Sequence, residues 1–257
     1  TIPSKGEYGY DTWLNGSADY TGNASVWAPM SADEDLGLVY LPIESATGDR
    51  YGGDRPGDNL FSSSLVAVDV KTGKLQWHFQ IVHHDIWDYD NSSAPIVADL
   101  NEKKVVIQLT KQSFAFVFDR ETGEPYWPIY EVEVPKSDVP GEWTSPTQPI
   151  PSLPEAYDRS GVSRNDLIDY TPEISQAVEN LIKDYRLGPL YTPPSLAESK
   201  DGTKGTLSLP FPTGGSNWEG GAYDPETNLL YVPSQTRLAL LSLKDGDEST
   251  DVRYVAS

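Results

Sequence analysis

The sequence predicts an all-β protein: an incomplete β-propeller of about three four-stranded blades, interrupted by a Pro-rich, partly helical insertion. Three observations carry this. The 257 residues include 21 Gly, 21 Pro, 7 Trp and 15 Tyr, a turn-rich and aromatic-rich balance that favours sheet over helix. A hairpin string, Asp69-x-x-Thr72-Gly73-x-x-x-Trp77, recurs 50 residues later as Asp119-x-x-Thr122-Gly123-x-x-x-Trp127. A second string, Trp27-x5-Asp33-x8-Pro42, recurs as Trp218-x5-Asp224-x8-Pro233.

Each copy of the first string follows an apolar run, Leu65–Val68 or Phe114–Phe118. Asp and Thr can bond the turn backbone, Gly accepts positive φ, and the Trp returns on the next strand. Each copy of the second ends in a near-identical strand, Leu38-Val-Tyr-Leu-Pro42 or Leu229-Leu-Tyr-Val-Pro233. Hairpins are therefore expected at 27–42, 65–80, 94–109 and 115–130. Two hairpins make a four-stranded sheet, and such a sheet every 40 to 50 residues is a propeller blade. Residues 27–80 read as one blade and 94–130 as a second. A third begins at 218, with its outer strands expected in Leu238–Lys244.

The stretch 131–217 breaks this rhythm. Val134 to Pro154 is Pro-rich and reads as extended. A helix follows near 171–187: Thr171 can cap it, Pro172 and Glu173 suit its first turn, and Gly188 can end it. Ile174, Ala177, Val178, Leu181, Ile182 and Tyr185 fall on one face and are expected to pack on the propeller. The whole of 1–257 thus reads as a single domain with an insertion. Three blades cannot close a ring, since propellers need four to eight, and open strand edges are an aggregation hazard. Thr1 is not an ordinary start and no signal-peptide pattern is present, so the chain is expected to be part of a longer polypeptide; blades from another chain are the other option.

The net charge of −20 argues against nucleic acid and anionic membrane surfaces as partners, because phosphates are repelled. No run of about 18 apolar residues occurs. With no Cys, and no His-x-His or His-x3-His pattern, neither disulfides nor a zinc site is indicated.

The densest concentration of chemistry is Ile81-Val-His-His-Asp-Ile-Trp-Asp-Tyr-Asp90, which holds two of the three His with three carboxylates directly after a strand-like run. Loops at strand ends on rigid β scaffolds often carry function. An acidic surface loop would have the same composition, so these ten residues alone leave the choice open.

The surrounding text resembles the PQQ-dependent (quinoprotein) dehydrogenases, in particular the membrane glucose dehydrogenase branch. The matching strings are Ser25-Val-Trp-Ala-Pro29, Tyr51-Gly-Gly-Asp-Arg-Pro-Gly-Asp-Asn59, His83-His-Asp-Ile-Trp-Asp88, Ser145-Pro-Thr-Gln-Pro149, Tyr191-Thr-Pro-Pro-Ser195 and Asn217-Trp-Glu-Gly-Gly-Ala-Tyr-Asp224. The likeness implies a middle portion of an eight-bladed propeller with PQQ on its axis. It implies oxidation of an alcohol or aldose sugar by hydride transfer to the quinone, with Asp88 as general base and Lys111 as the cation at the quinone oxygens. Lys111 interrupts an otherwise apolar strand pair, which favours an inward, paired Lys over a surface one.

The same resemblance puts Trp27 under the PQQ ring, with Trp218, Thr47 and Asn217 as further cofactor contacts. His83, His84 and Asp85 are expected to line the substrate mouth or to orient Asp88. The family holds Ca²⁺, or Mg²⁺ or a lanthanide, against the quinone. The Asn ligand of the methanol-oxidising branch falls on Ala46 here and is absent; Asp90 is a candidate metal ligand or a group behind the metal. An electron acceptor that is a membrane quinone or a cytochrome, and a periplasmic or outward-facing location, are implied likewise. The alternative from another class is a non-catalytic propeller of the same build, acting as a binding or assembly scaffold.

Overall fold

The computed structural model describes residues 2–21 and 23–257. The first blade is complete: β1 (Ser31–Asp33), β2 (Leu38–Pro42), β3 (Ser64–Asp69) and β4 (Leu75–Gln80) form an antiparallel meander in chain order. The register is set by Ser31 opposite Tyr40, Pro42 opposite Leu65 and Ser64 opposite Gln80. Strand β2 alternates, burying Leu38, Tyr40 and Pro42 on one face, as a sheet with one packed side requires. The turn from β3 to β4 works as its sequence suggests. Asp69 Oδ1 accepts from the backbone of Lys71 and Thr72 and from the Thr72 hydroxyl, and Gly73 takes φ 67°.

The second copy repeats this geometry at Asp119, Thr122 and Gly123, and it docks on the first blade. A side chain at Gly123 would place Cβ 2.5 Å from the Trp77 ring. Trp77 also meets Tyr40 and Phe118 and donates its indole N–H to the Arg120 carbonyl at 3.3 Å. Trp77→Ala should therefore cost about 3–5 kcal/mol, read as a lower urea midpoint with little change in slope.

The second blade differs from expectation. β5 (Ile96–Leu100), β6 (Lys103–Leu109) and β7 (Ala115–Asp119) form a three-stranded sheet. The return strand touches β7 only through a Phe118–Pro125 bridge and the Tyr126 N–H. Its Pro125 and Pro128 lack the donors a ladder needs. The chain instead enters β8 (Ile129–Glu133), which pairs with β9 (Thr147–Pro151).

The insertion's helix α1 (Pro172–Ile182) starts at Thr171, whose side chain accepts from the Ile174 N–H. It ends sooner than expected, and the apolar stripe does not pack: among its residues Ile182 is buried, while Leu181 is 71% exposed. Periodicity defined a face, but the helix is tied down only at its C-terminal end and through the Arg164–Glu179 ion pair.

The last elements are β10 (Ser195–Leu196), β11 (Thr206–Ser208), β12 (Ala222–Asp224), β13 (Leu229–Tyr231), β14 (Ala239–Asp245) and β15 (Tyr254–Ala256). β12 and β13 pair as the start of the third blade. The segment expected to extend that blade, Leu238–Lys244, goes elsewhere. β14 pairs with β11, β10 and β15 and buries Ala239 and Leu241 in the main core. That core gathers Tyr40, Trp77, Trp87, Tyr89, Phe116, Phe118 and Tyr191. The first strands of the three sheets lie together, β5 against both β1 and β12, as blades around a common axis do. No helix is long and apolar enough to cross a membrane.

Candidate active site

The chain between β4 and β5 is held by side chains that point back into the protein. Asp85 is wholly buried; its Oδ1 accepts from the Trp87 N–H, and its Oδ2 accepts from the Tyr89 N–H and the Ser63 hydroxyl. Burial is the main reason its carboxyl is pushed up to about 6. Trp87 donates its indole N–H to Thr192 O and Tyr89 its hydroxyl to Pro210 O, and both rings meet Tyr191 edge-on. The residue left between them, Asp88, sits at φ 61°. Left-handed conformation at a non-glycine residue is the kind of local strain that clusters at functional loops.

Asp88 is one-quarter exposed and lies between two cations. Lys111 Nζ is 3.1 Å from Oδ1, and Arg50 Nη2 is 3.1 Å from Oδ2. Lys111 also donates to the Asp88 carbonyl and to Asp90 Oδ2, each at 2.8 Å. Burial works against the Lys111 ammonium, yet Asp90 and Asp88 outweigh it and hold its pKa above the ordinary value. Burial likewise dominates at Asp88, pushing its carboxyl up to about 7 against the pull of Lys111 and Arg50. Lys111 comes from the turn between β6 and β7, so the pair joins the second blade to the first. The backbone at Gly214 lies on Lys111: a Cβ there would be 2.5 Å from the Lys111 Cα.

Asp88 and Asp90 face a polar cleft of about 160 Å³ shared with Asn23, Glu44, Ser45, Thr47 and Asp49. Thr47 is thus brought to the carboxylates, its hydroxyl accepting from the Asn23 N–H. Asp90 has both oxygens in use, Oδ1 on the Ser45 N–H at 2.7 Å and Oδ2 on Lys111. Trp27 and Trp218 stack on one another, ring centroids 5.8 Å apart and planes 7° from parallel. The Asn217 amide is spent in its own loop, donating to Thr213 O and accepting from the Trp218 N–H.

Neither His83 nor His84 makes a hydrogen bond to Asp88 or lines its cleft. His84 is buried, with Nδ1 2.8 Å from Gly57 O and Nε2 3.0 Å from Glu142 Oε1; burial lowers its pKa, against Glu142. His83 turns to Gln80 and Glu131. Both serve the loop from behind. Arg50, Glu44, Asp49 and Asn23 were not singled out in the sequence. Arg50 lies just before the Tyr51–Asn59 string, but nothing local marks a residue whose partner is 38 positions away.

The family model for "PQQ: Glucose/ethanol/alcohol dehydrogenase, beta-propeller domain" matches residues 3–257. The chain belongs to this family.

Among PQQ-family relatives, the quinoprotein glucose dehydrogenase of Gluconobacter oxydans (strain 621H) is 35% identical over 212 residues, covering 80% of this chain and 25% of that protein. The quinate/shikimate dehydrogenase (quinone) of Acinetobacter baylyi is 33% identical over 220 residues, covering 83% and 26%. The quinohemoprotein alcohol dehydrogenase from Comamonas testosteroni superposes with a TM-score of 0.58 at 24% identity, over 91% of this chain and 29% of that one. A europium-containing methanol dehydrogenase gives 0.61 at 22%, over 95% and 35%. These structures share the quinoprotein propeller fold. The chain spans about a quarter of the length of the curated relatives.

Proposed function

We propose that this chain forms the part of a PQQ-dependent dehydrogenase that takes the hydroxyl proton from an alcohol or aldose substrate. The observation that supports it is Asp88, a partly exposed carboxylate on a strained loop between Lys111 and Arg50. This donor set fits a quinone. Two cations stand beside a proton acceptor, and Arg50 Nε is buried without a hydrogen-bond partner, a donor left over for an oxygen-rich guest. PQQ, when bound, supplies the acceptor for the substrate's hydride.

Asp88 acts as general base, and a pKa near 7 matches it to a neutral operating pH. Lys111 keeps Asp88 oriented through its carbonyl and carboxylate, and supplies positive charge where the oxidant gains electrons. Thr47 lines the same cleft as Asp88. Trp27 offers the quinone an aromatic face backed by Trp218, with Asn217 beyond. Asp90 and Ser45 hold Lys111 in place. Glu44, Asp49, Asp88 and Asp90 would offer a hard cation carboxylate oxygens along the cleft, but among the described residues no group of three or more His, Cys, Asp or Glu side chains is arranged to hold an ion by itself. No step is therefore routed through Ca²⁺, and Asp90 serves as a counter-ion to Lys111.

Relatives named as sugar, glycerol and quinate dehydrogenases support the activity over a scaffold role, and the "(quinone)" in one name supports a quinone as electron acceptor. A cytochrome acceptor and a periplasmic location belong to the same reading. The test is dye reduction by the intact protein loaded with PQQ and Ca²⁺, across alcohols, polyols and aldoses. Turnover with at least one is expected; no reduction and no quinone absorbance in the purified protein would overturn the proposal.

Arg50→Gln has a signed consequence. The guanidinium favours ionised Asp88, so its loss raises the pKa from about 7. The acid limb of kcat/KM should move up by about one pH unit, costing several-fold at pH 6 and little at pH 9.

A further inference from the structure

Behind the cleft lies a second arginine of different character. Arg55 is 1% exposed; the carboxylates of Glu142, Asp85 and Asp49 act on its charge from a distance, without direct contact. Its guanidinium is met by neutral oxygens only. Nε donates to Thr47 O at 3.3 Å, Nη2 to Gly48 O at 2.9 Å and to Asp85 O at 2.5 Å, and Nη1 to Asn59 Oδ1 at 2.8 Å. Asn59 closes the arrangement by donating to Arg55 O and lying 3.2 Å from His84 Nδ1. On the far side of His84, Glu142 accepts from the Gly52 N–H at 2.8 Å.

A buried charge is costly even with carboxylates acting on it from a distance, and an apolar side chain of the same volume would avoid that cost. What the guanidinium does that no apolar group can is grip two separate stretches of backbone at once through a planar fork. One stretch is Thr47–Gly48, on the wall of the cleft. The other is Asp85, whose carboxylate bonds the amides on both sides of Asp88.

We propose that Arg55 is a positioning residue that sets the distance between the cofactor-side wall at Thr47 and the base at Asp88. It touches neither reacting group. It acts through carbonyl oxygens on one side and through Asp85 on the other, with Asn59, His84 and Glu142 as its support. The proposal builds on the dehydrogenase reading above. Lysine keeps the charge but cannot present the fork, so the two walls lose their common anchor. A displacement near 1 Å in such a site costs about 10²-fold in rate.

The experiment uses the intact protein carrying Arg55→Lys or Arg55→Ala. Hydrogen exchange should quicken in 45–49 and 85–90 together in Arg55→Lys while the β6–β7 hairpin is unchanged. The same variant should lose 10- to 100-fold in kcat and also bind PQQ more weakly, and millimolar guanidinium should restore part of the rate in Arg55→Ala. Unchanged exchange in both segments, or wild-type kcat and PQQ affinity in Arg55→Lys, would overturn the proposal. So would a loss that follows only the folded fraction and ignores guanidinium. Exchange reports on the anchor even if the wild type shows no turnover, so failure of the dehydrogenase reading is told apart from failure of this one.

Discussion

Asp88→Asn should lower kcat by about 10²–10⁴-fold in the intact protein and abolish the acid limb near pH 7, while the fold survives. The survival follows from how Asp88 is held. Its backbone conformation is fixed by Asp85 from both sides, and Lys111 keeps the Asp88 carbonyl and Asp90 as partners. What the amide cannot do is accept at both ends. One terminus must turn an NH₂ toward Lys111 or Arg50, donor against donor, and neither terminus can take a proton. Rates measured from pH 5 to 9, with thermal melts of the same samples, check this. A variant retaining a tenth of wild-type kcat would remove Asp88 from the role of base.

Lys111→Met should be the most damaging change to stability in the cleft. It removes the one ammonium facing Asp88 and Asp90, at a side chain only 5% exposed. Breaking a buried pair by deleting one partner costs about 3–5 kcal/mol, because the other charge stays behind. The sign with pH is informative. Asp88 already has a folded pKa raised to about 7 by burial, and losing Lys111 raises it further. The folded variant then holds a proton that the wild type has already released, so its deficit is full above the variant's raised pKa and shrinks as pH falls to about 7, below which both proteins hold that proton. Urea unfolding at both ends of that range checks it. A deficit that grows toward acid would show that Lys111 is not compensating these carboxylates. Arginine should restore only part of the stability, since its planar fork cannot reproduce the three bonds the ammonium makes to Asp88 O, Asp88 Oδ1 and Asp90 Oδ2.

The parts of this structure that were legible in sequence are those whose cause is local. The turns at Asp69 and Asp119 bond their own neighbours, so the residues that make them are adjacent in the chain. The strained loop was marked by its density of carboxylates and aromatics, and Lys111 by its intrusion into an apolar run. Arg50 and Arg55 gave no such mark, because each is defined by partners that folding brings to it. The second blade's missing strand was readable in principle: Pro125 and Pro128 removed the donors, and the Trp repeat masked that. The stripe on α1 shows the limit of periodicity, which reports that a face exists and not that anything covers it. Strand β14 was expected within Leu238–Lys244 from the blade repeat, but a strand's own residues do not name its partner.

The contact of Gly214 on Lys111 also bears on the order in which the chain is made. Asp88 and Asp90 leave the ribosome first and Lys111 soon after. The backbone that covers Lys111 follows roughly 100 residues later, about 5–20 s at ordinary rates of synthesis. Through that interval the cluster is wet, its charges cheap and its geometry loose. Lys111 is thus covered only when synthesis has passed the insertion, and pausing within 131–217 would leave that side of the cluster open to solvent.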